Sequence, residues 1–366
     1  MSQTKINIVL FGNGNVGSEF VNQIIENNSF FKEKRNLDLR LLVVANSKKA
    51  IFDKNGLLKS PIDSFDNESK SYQIEDIFEF VNNHQFENLI AIDATASLDF
   101  VENYIQLIES GFNIVAANKK ANTLSLDYYK QLRYNLKIHD KTFLYETNVG
   151  AALPVINTIR NLHLSGEKIR KIRGVFSGSI SYIFNRFATE DTSFSGILSD
   201  AEQLGLTEPD SREDLSGHDV ARKLLILARE LDQEIEFSAI KIESLLLPNL
   251  NENNSLAEFQ SNKKLLDKPF EIAKITQFGT HALRYIGEID LENHNFIVKL
   301  TSEPKNSPLG QLKGADNLIE IYTQSYGEIP IVIQGAGAGG KVTALGVLGD
   351  ILQIAENLKI KQPLFS

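Results

Sequence analysis

The sequence contains no cysteine and no tryptophan, and only one of its 366 residues is methionine. The lack of cysteine excludes a disulfide framework, a thiolate metal site and every mechanism that depends on a cysteine nucleophile. A chain of this length can bury two adjoining cores. The length of the chain and its lack of cysteine together favour a globular cytoplasmic protein.

Long apolar runs and excess positive charge are also missing. No apolar run approaches the roughly 18 residues that a membrane span requires, and the first ten residues lack the pattern of a signal peptide. Lys and Arg number 38 against 47 Asp and Glu, a formal net charge of -9. An acidic chain is not attracted non-specifically to nucleic acid or anionic lipid. We expect neither a membrane nor a nucleic-acid partner.

The first third of the chain alternates short apolar segments with amphipathic segments of helical length. This pattern predicts an α/β fold in which a parallel sheet carries helices on both faces, a Rossmann-type doubly wound sheet. The predicted strands cover residues 6–11, 39–45, 89–95 and 113–117, and the first helix covers residues 18–26.

The pattern changes after residue 147. A Gly/Ala/Pro segment leads into a helix and a strand at 169–176, and a hairpin is predicted at 283–301. The sequence therefore predicts a second, mixed α+β domain over residues 148–330. A strand at 331–333 and a helix from about residue 343 are expected to fold back, so that residues 331–366 complete the domain formed by residues 1–147.

A glycine-rich turn joins the first predicted strand to the first predicted helix. Gly12, Gly14 and Gly17 have the spacing G-x-G-x-x-G, in which one glycine makes the tight turn, one lets a pyrophosphate approach and one lets the helix pack on the strand. The N-terminus of the helix then faces the anion. We interpret this turn as a dinucleotide site, with an ordinary tight turn as the alternative; its residues are Gly12, Asn13, Gly14, Asn15, Val16 and Gly17.

The end of the second predicted strand bears on the choice between NAD and NADP. Asp38 lies at the wrong end of this strand to bind a ribose, and the residues after Ala45 read Asn-Ser-Lys-Lys. With no carboxylate to repel a 2′-phosphate, and with Lys48 and Lys49 nearby, NADP should be accepted as well as NAD. Alternatively, both lysines are solvated loop charges.

Three further segments are candidates for the same cofactor. Thr95 and Lys119 follow two later strands, at the sheet edge where open α/β sheets bind ligands, although either segment could be a simple polar turn. Lys119 is favoured over Lys120 because it comes directly after the strand. Gly337 and Gly339 lie in a second glycine-rich turn, which forms either an independent phosphate site or, more simply, a second wall of one cofactor site.

The densest polar cluster covers residues 207–214 and is followed by a predicted helix. Asp219 and Lys223 are four residues apart on that helix and lie beside its apolar stripe, so the pair could border a cleft; an exposed ion pair is the alternative. A lysine held by carboxylates can donate a proton to a carbonyl oxygen as hydride reaches the carbon. Glu208 and Asp214 would also suit a substrate ammonium group.

These segments together resemble homoserine dehydrogenases, and the resemblance runs over essentially the whole chain. It implies reversible reduction of L-aspartate 4-semialdehyde to L-homoserine by NADPH or NADH, a step toward threonine and methionine. Aspartate semialdehyde dehydrogenase itself is excluded, because its acyl chemistry uses a cysteine. The stretches that carry the resemblance are residues 12–17, 117–123, 146–154, 177–184, 207–227 and 335–339.

The resemblance also assigns roles to individual residues. It implies that Lys223 is the proton donor and Lys119 a second active-site lysine. It implies substrate contacts from Glu208, which would bind the amino group, from Ser179, and from Asp214 and Asp219, which would also hold Lys223.

A monovalent cation, Na⁺ or K⁺, is implied beside the cofactor domain. Its ligands would be Glu146 and the backbone carbonyls of Val149, Ala151 and Leu153. The sequence departs from the family at Ala152, where glycine is usual, and this narrows the backbone conformations available there.

The resemblance further implies a homodimer in which residues 148–330 form a catalytic and dimerisation domain. An aspartokinase fusion partner is compatible with it, whereas a regulatory domain after the last predicted helix is not expected. Two other functions remain open on the sequence: another amino-acid dehydrogenase, or a catalytically silent NAD(P)-sensing module.

Overall fold

A computed structural model describes residues 3–251, 255–277 and 279–361 of the chain. The chain divides into two compact units. The first unit contains the residues up to Ala152 together with those from Ala338 onward, and the second unit is Leu153–Gly337.

The first unit is built on a seven-stranded sheet. Its strands are β1 (Thr4–Phe11), β2 (Leu37–Ala45), β3 (Lys49–Phe52), β4 (Lys70–Ser71), β5 (Leu89–Asp93), β6 (Asn113–Ala116) and β7 (Phe143–Leu144). They lie in the order β4-β3-β2-β1-β5-β6-β7. The five strands from β2 to β7 in this order pair in parallel, while β3 and β4 add an antiparallel edge. The predicted Rossmann-type sheet is confirmed.

Helices connect these strands and bury their apolar faces against the sheet. They are α1 (Asn15–Glu26), α2 (Asn28–Arg35), α3 (Phe65–Glu68), α4 (Ile74–Asn83), α5 (Leu98–Val101), α6 (Tyr104–Glu109), α7 (Lys120–Thr123) and α8 (Leu126–Ile138). In α1, Phe20, Val21 and Ile24 share one buried face and pack in the same core as Ile8 and Leu10 of β1.

The second unit contains a six-stranded, mostly antiparallel sheet. Its strands are β8 (Ile169–Val175), β9 (Lys241–Ile242), β10 (His281–Asp290), β11 (Asn295–Pro304), β12 (Asp316–Thr323) and β13 (Ile331–Ala336). They lie in the order β13-β12-β8-β10-β11-β9, and only β9 runs parallel to its neighbour. β10 and β11 form the predicted hairpin, in continuous register along both strands.

The helices of the second unit are α9 (Val155–Leu164), α10 (Gly178–Thr189), α11 (Phe194–Gln203), α12 (Ser211–Ser216), α13 (His218–Glu230), α14 (Leu256–Asn262), α15 (Asp267–Ile275) and α16 (Pro308–Gln311). Helix α13 packs directly on β10. A Cβ atom at Gly287 of β10 would lie 2.8 Å from Cδ2 of Leu224, so the missing side chain permits this close packing. The unit is mixed α+β, as predicted.

The structure divides the tail of the chain differently from the sequence prediction. β13 pairs with β12 and so belongs to the second sheet, whereas α17 (Gly340–Lys361) packs in the core of the first unit through Ala344, Val347 and Ile351. A strand, a glycine turn and a helix in sequence resemble one parallel βα unit. The pairing of β13 with β12 shows that the strand and the helix do not form such a unit. The part of the tail that belongs to the first unit therefore begins at residue 338 rather than at residue 331.

Over the part of the chain that the structure describes, no helix has both the length and the apolar character that a membrane crossing would require.

Candidate active site

The three glycines of the first turn have different surroundings. Gly12 has a φ of 97°, and a Cβ atom there would lie 2.8 Å from the backbone of Ala94. A Cβ atom at Gly17 would lie 1.8 Å from the carbonyl oxygen of Gly12, whereas nothing lies within 4 Å of the same position at Gly14. The fold therefore requires glycine at two positions and leaves open space at the third, in front of the N-terminus of α1. These residues fit a dinucleotide pyrophosphate.

A buried carboxylate joins the ends of β5 and β6. Asp93 is 1% exposed and accepts hydrogen bonds from the Thr95 backbone N (2.8 Å), the Tyr104 hydroxyl (2.7 Å) and Asn118 Nδ2 (2.9 Å). Burial raises the pKa of the Asp93 carboxyl, and these hydrogen bonds oppose the rise. The network fixes the segments that carry Thr95 and Lys119. Sequence analysis gave Asp93 no role, although a carboxylate that ends a buried strand is a recognisable signal.

Lys119 and Lys120 differ in their exposure. Lys119 is half-buried at the start of the segment after β6, whereas Lys120 is exposed and its backbone N donates to Asn118 Oδ1 at 3.0 Å. Thr95 is also half-buried. The catalytic and cofactor-binding roles of Thr95 and Lys119 stay predictions.

The residues at the two ends of β2 lie where the sequence analysis placed them. Asp38 lies at the start of the strand, where it forms a 3.0 Å ion pair with Lys32. After the strand, the Asn46 side-chain oxygen accepts hydrogen bonds from the backbone N atoms of Lys48 and Lys49. Lys49 Nζ donates to the Asp66 carbonyl at 3.4 Å, while Lys48 is exposed. Lys48 is therefore the better placed of the two to meet a 2′-phosphate.

The two tail glycines fall in different units. Gly339 belongs to the first unit, where a Cβ atom at its neighbour Gly340 would lie 3.3 Å from the Asn15 carbonyl oxygen. The N-terminus of α17 therefore lies beside that of α1, as a second wall of the same turn requires. Gly337 belongs to the second unit, where the absence of a side chain leaves room for the side chain of Asn317. Packing against Asn317 explains why residue 337 is glycine, and the cofactor-binding roles of Gly337 and Gly339 stay predictions.

The second unit holds a lysine and three carboxylates near the start of α13. Lys223 is 7% exposed, and its Nζ lies 2.8 Å from Asp219 Oδ2 and 2.7 Å from the Phe176 carbonyl oxygen. The Asp219 side chain is 37% exposed. The alternative of an exposed surface pair is wrong, because the ammonium group lies inside the unit and the carboxylate at its edge.

Asp214 organises the neighbouring loop. It accepts hydrogen bonds from the Ser179 hydroxyl (2.5 Å) and from the backbone N of Glu208 (2.9 Å). Burial, together with the negative charge of Asp219, raises the pKa of Asp214. The side chain of Glu208 is exposed on this loop. The structure thus brings Ser179, Glu208 and Asp214 together, and Asp214 holds the loop that presents Glu208.

This arrangement suits proton transfer to an oxygen atom. An ammonium group oriented by a carboxylate and a carbonyl can donate a proton or a hydrogen bond in a fixed direction. The exposed carboxylate of Glu208, on the loop that Asp214 holds, can attract a cationic group of a small substrate. The side chains that the sequence predicted from spacing alone, Asp219 and Lys223, are in direct contact.

The predicted cation loop contains a buried carboxylate. Glu146 is 6% exposed, and its backbone N donates at 2.9 Å to Asp350 Oδ2 of α17, which is 3% exposed. Among the described residues no group of three or more His, Cys, Asp or Glu side chains could hold a metal ion. A cation here would therefore depend largely on backbone carbonyls, and sequence analysis missed Asp350, some 200 residues away.

The left-handed part of this loop lies before Ala152. Gly150 and Ala151 have φ values of 84° and 53°, whereas Ala152 is not among the residues with positive φ. The alanine at 152 therefore creates no strain of that kind. The carbonyl of Leu153, another predicted ligand, accepts a hydrogen bond from the backbone N of Val155 at 2.8 Å.

A dinucleotide-binding sheet in one unit and a lysine–carboxylate cluster in the other are features of two-domain, nicotinamide-dependent dehydrogenases. Comparison with protein families agrees with this class. The family model for homoserine dehydrogenase matches residues 154–352, and that for the homoserine dehydrogenase NAD binding domain matches residues 12–146. The chain belongs to the homoserine dehydrogenase family.

Individual relatives support the assignment. The bifunctional aspartokinase/homoserine dehydrogenase of Buchnera aphidicola is 39% identical over 95% of this chain, and the homoserine dehydrogenase of Saccharomyces cerevisiae is 33% identical over 98% of it. The chain spans 42% of the bifunctional protein and 100% of the yeast protein. A crystal structure of a Candida auris protein of unknown function is 31% identical, with a TM-score of 0.87 over 96% of this chain and 98% of that one.

Proposed function

We propose that the protein is a homoserine dehydrogenase, which catalyses the reversible NAD(P)H-dependent reduction of L-aspartate 4-semialdehyde to L-homoserine. The observation that carries the proposal is the buried Lys223 ammonium group, held by Asp219 and by the Phe176 carbonyl. It occurs in a chain whose family membership is established over both units. The reaction is a step in threonine and methionine biosynthesis.

Lys223 supplies the proton for the reduction. Bound NAD(P)H provides the hydride that reaches the aldehyde carbon. As negative charge develops on the aldehyde oxygen, Lys223 donates a proton to it, so that the carbonyl becomes the alcohol of homoserine. In the reverse direction, neutral Lys223 accepts the hydroxyl proton. Asp219 keeps the ammonium group oriented in both directions.

The remaining polar side chains of the second unit bind the amino-acid end of the substrate. Glu208 presents an exposed carboxylate to the substrate ammonium group. Asp214 and Ser179 hold the Glu208 loop in place through the hydrogen bonds described above, and both line the substrate site. This division leaves Lys223 for the reacting carbonyl.

The cofactor is assigned to the first unit. The turn from Gly12 to Gly17 binds the pyrophosphate at the N-terminus of α1, with Gly339 at the adjacent end of α17. Thr95 and Lys119 contact the cofactor from the ends of β5 and β6, and Lys119 is a second active-site lysine. Lys48 supports binding of NADP as well as NAD.

Two further features belong to the proposal. Glu146 and the carbonyls of Val149, Ala151 and Leu153 bind Na⁺ or K⁺, which is supported by the two buried carboxylates of Glu146 and Asp350. The active form is a homodimer, supported by the open edge of the second sheet, where Val332 of β13 is 41% exposed. Fusion to an aspartokinase occurs in relatives such as the Buchnera protein, and the cytoplasmic location stays a prediction.

The first experiment follows absorbance at 340 nm with purified protein and L-homoserine, in parallel with NAD and with NADP. Alkaline pH favours this direction, because oxidation of homoserine releases a proton. We expect turnover with both cofactors and none with L-aspartate. Turnover of L-aspartate would instead indicate another amino-acid dehydrogenase, and cofactor binding without any turnover would indicate a sensing module.

The same assay tests the cation. With choline chloride as the only salt, we expect a lower rate that returns when NaCl or KCl is added at constant ionic strength. Glu146→Gln should weaken this response, because it removes the charge that favours the cation. Equal rates in all three salts would contradict the cation assignment without affecting the assignment of the reaction.

A further inference from the structure

The carbonyl oxygen of Phe176, just beyond β8, accepts hydrogen bonds from two side chains of the second unit. Lys223 Nζ donates at 2.7 Å and Asn317 Nδ2 donates at 3.1 Å. Phe176 and Asn317 are both fully buried. A carbonyl oxygen has two lone pairs and can accept both bonds. One oxygen atom therefore links the ammonium group to an asparagine on β12.

The stability of the fold does not explain this asparagine. The side-chain oxygen of Asn317 has no hydrogen-bond partner among the residues that the structure describes. A buried acceptor without a partner costs free energy, and an apolar side chain of similar shape would avoid that cost. Departures of this kind from the most stable choice are expected at functional positions.

Gly337 provides the space that the Asn317 amide occupies. A Cβ atom at residue 337 would lie 2.0 Å from Asn317 Nδ2 and 2.1 Å from its Cγ. Gly337 is not among the glycines with positive φ, so its backbone conformation is one that other residues adopt. The amide of Asn317, rather than the local backbone, therefore requires glycine at this position.

We propose that Asn317 is a positioning residue for Lys223. By donating to the Phe176 carbonyl, Asn317 fixes one of the acceptors that orient the Lys223 ammonium group, and Gly337 makes room for it. Without this bond the carbonyl can shift, and the ammonium group moves with it. Small displacements of a proton donor lower the rate of the chemical step more than they weaken substrate binding. The kinetic part of this inference rests on the proposed function.

The first test is Asn317→Leu, which keeps approximate shape and removes the donor. We expect kcat for homoserine oxidation to fall roughly 10- to 100-fold, with KM changed less than about threefold and the melting temperature unchanged or higher. Ile319→Val on the same strand is the matched control, because it perturbs a buried neighbour without touching the Phe176 carbonyl. It should keep the wild-type kcat.

The second test is a double-mutant cycle between Asn317→Ala and Gly337→Ala. In the wild-type background, Gly337→Ala should lower both kcat and the melting temperature, because its Cβ displaces the amide. In the Asn317→Ala background the same change should have little further effect. Gly349→Ala, where nothing lies within 4 Å of the added atom, controls for a glycine-to-alanine change that meets no neighbour.

The outcomes separate the two proposals. A wild-type protein without homoserine turnover overturns the proposed function and with it the kinetic role of Asn317, while the melting temperatures of the cycle still test the contact with Gly337. If the wild type is active, an unchanged kcat in Asn317→Leu overturns the positioning role. A lower melting temperature with unchanged kcat would show that Asn317 is only structural.

Discussion

Lys223→Ala is expected to lower kcat for homoserine oxidation by roughly 10²- to 10⁴-fold, the contribution typical of a positioned general acid or base. KM should change by less than about tenfold, because the interaction with the reacting oxygen is made mainly in the transition state. Lys223 is buried and held by two acceptors, so water cannot easily replace it. Initial rates over a range of homoserine concentrations measure both constants.

Two further variants make this experiment specific. Lys223→Met keeps most of the buried aliphatic stem, which separates loss of the proton donor from loss of packing. Lys241→Ala removes a lysine whose side chain is 70% exposed and should leave kcat unchanged. A Lys223→Met protein that retains the wild-type kcat would show that another group donates the proton.

Alanine substitutions at Gly14 and Gly17 are both expected to weaken cofactor binding, but only the substitution at Gly17 should strongly destabilise the fold. The added Cβ at Gly17 meets the Gly12 carbonyl at 1.8 Å, so the turn must move. We expect a stability loss of about 1–3 kcal/mol or more, together with loss of cofactor binding. At Gly14, where φ is -73° and nothing lies within 4 Å, the stability loss should stay below about 1 kcal/mol.

Cofactor affinity distinguishes the two glycines further. The methyl group at residue 14 enters the space assigned to the pyrophosphate, so the Kd for NADPH should rise at least about tenfold, a change of about 1.4 kcal/mol. Thermal unfolding with and without NADPH measures both effects, since a bound ligand raises the melting temperature. If Gly14→Ala binds NADPH like the wild type, the pyrophosphate does not occupy this turn.

The first unit was predictable because local signals and tertiary structure agree there. The periodicity of residues 6–26 fixes a strand, a turn and a helix, and the glycine spacing fixes which residues approach each other closely. Asp219 and Lys223 were predictable for a similar reason, since helical geometry alone places residues four apart on one face. In these cases the residues that contact each other are close together in the sequence.

The second unit and the tail were less predictable. Strand β13 looks like the start of a parallel βα unit, and only its pairing with β12 assigns it to the second sheet. Asp350 and Asn317 were missed because their partners, Glu146 and Phe176, are 204 and 141 residues away in the sequence. Nothing in the composition around these residues indicates which distant group they meet.

The sequence by itself determined the dinucleotide turn, the contact between Asp219 and Lys223, and the family to which the chain belongs. These depend on spacing within one turn or helix, or on residue identities along the chain. Only the tertiary structure decided that Lys223 is buried, that the Phe176 carbonyl accepts hydrogen bonds from both Lys223 and Asn317, and that residue 337 must be glycine. The physical reason is that burial and shared acceptors arise from strands and helices brought together by packing, which sequence spacing does not encode.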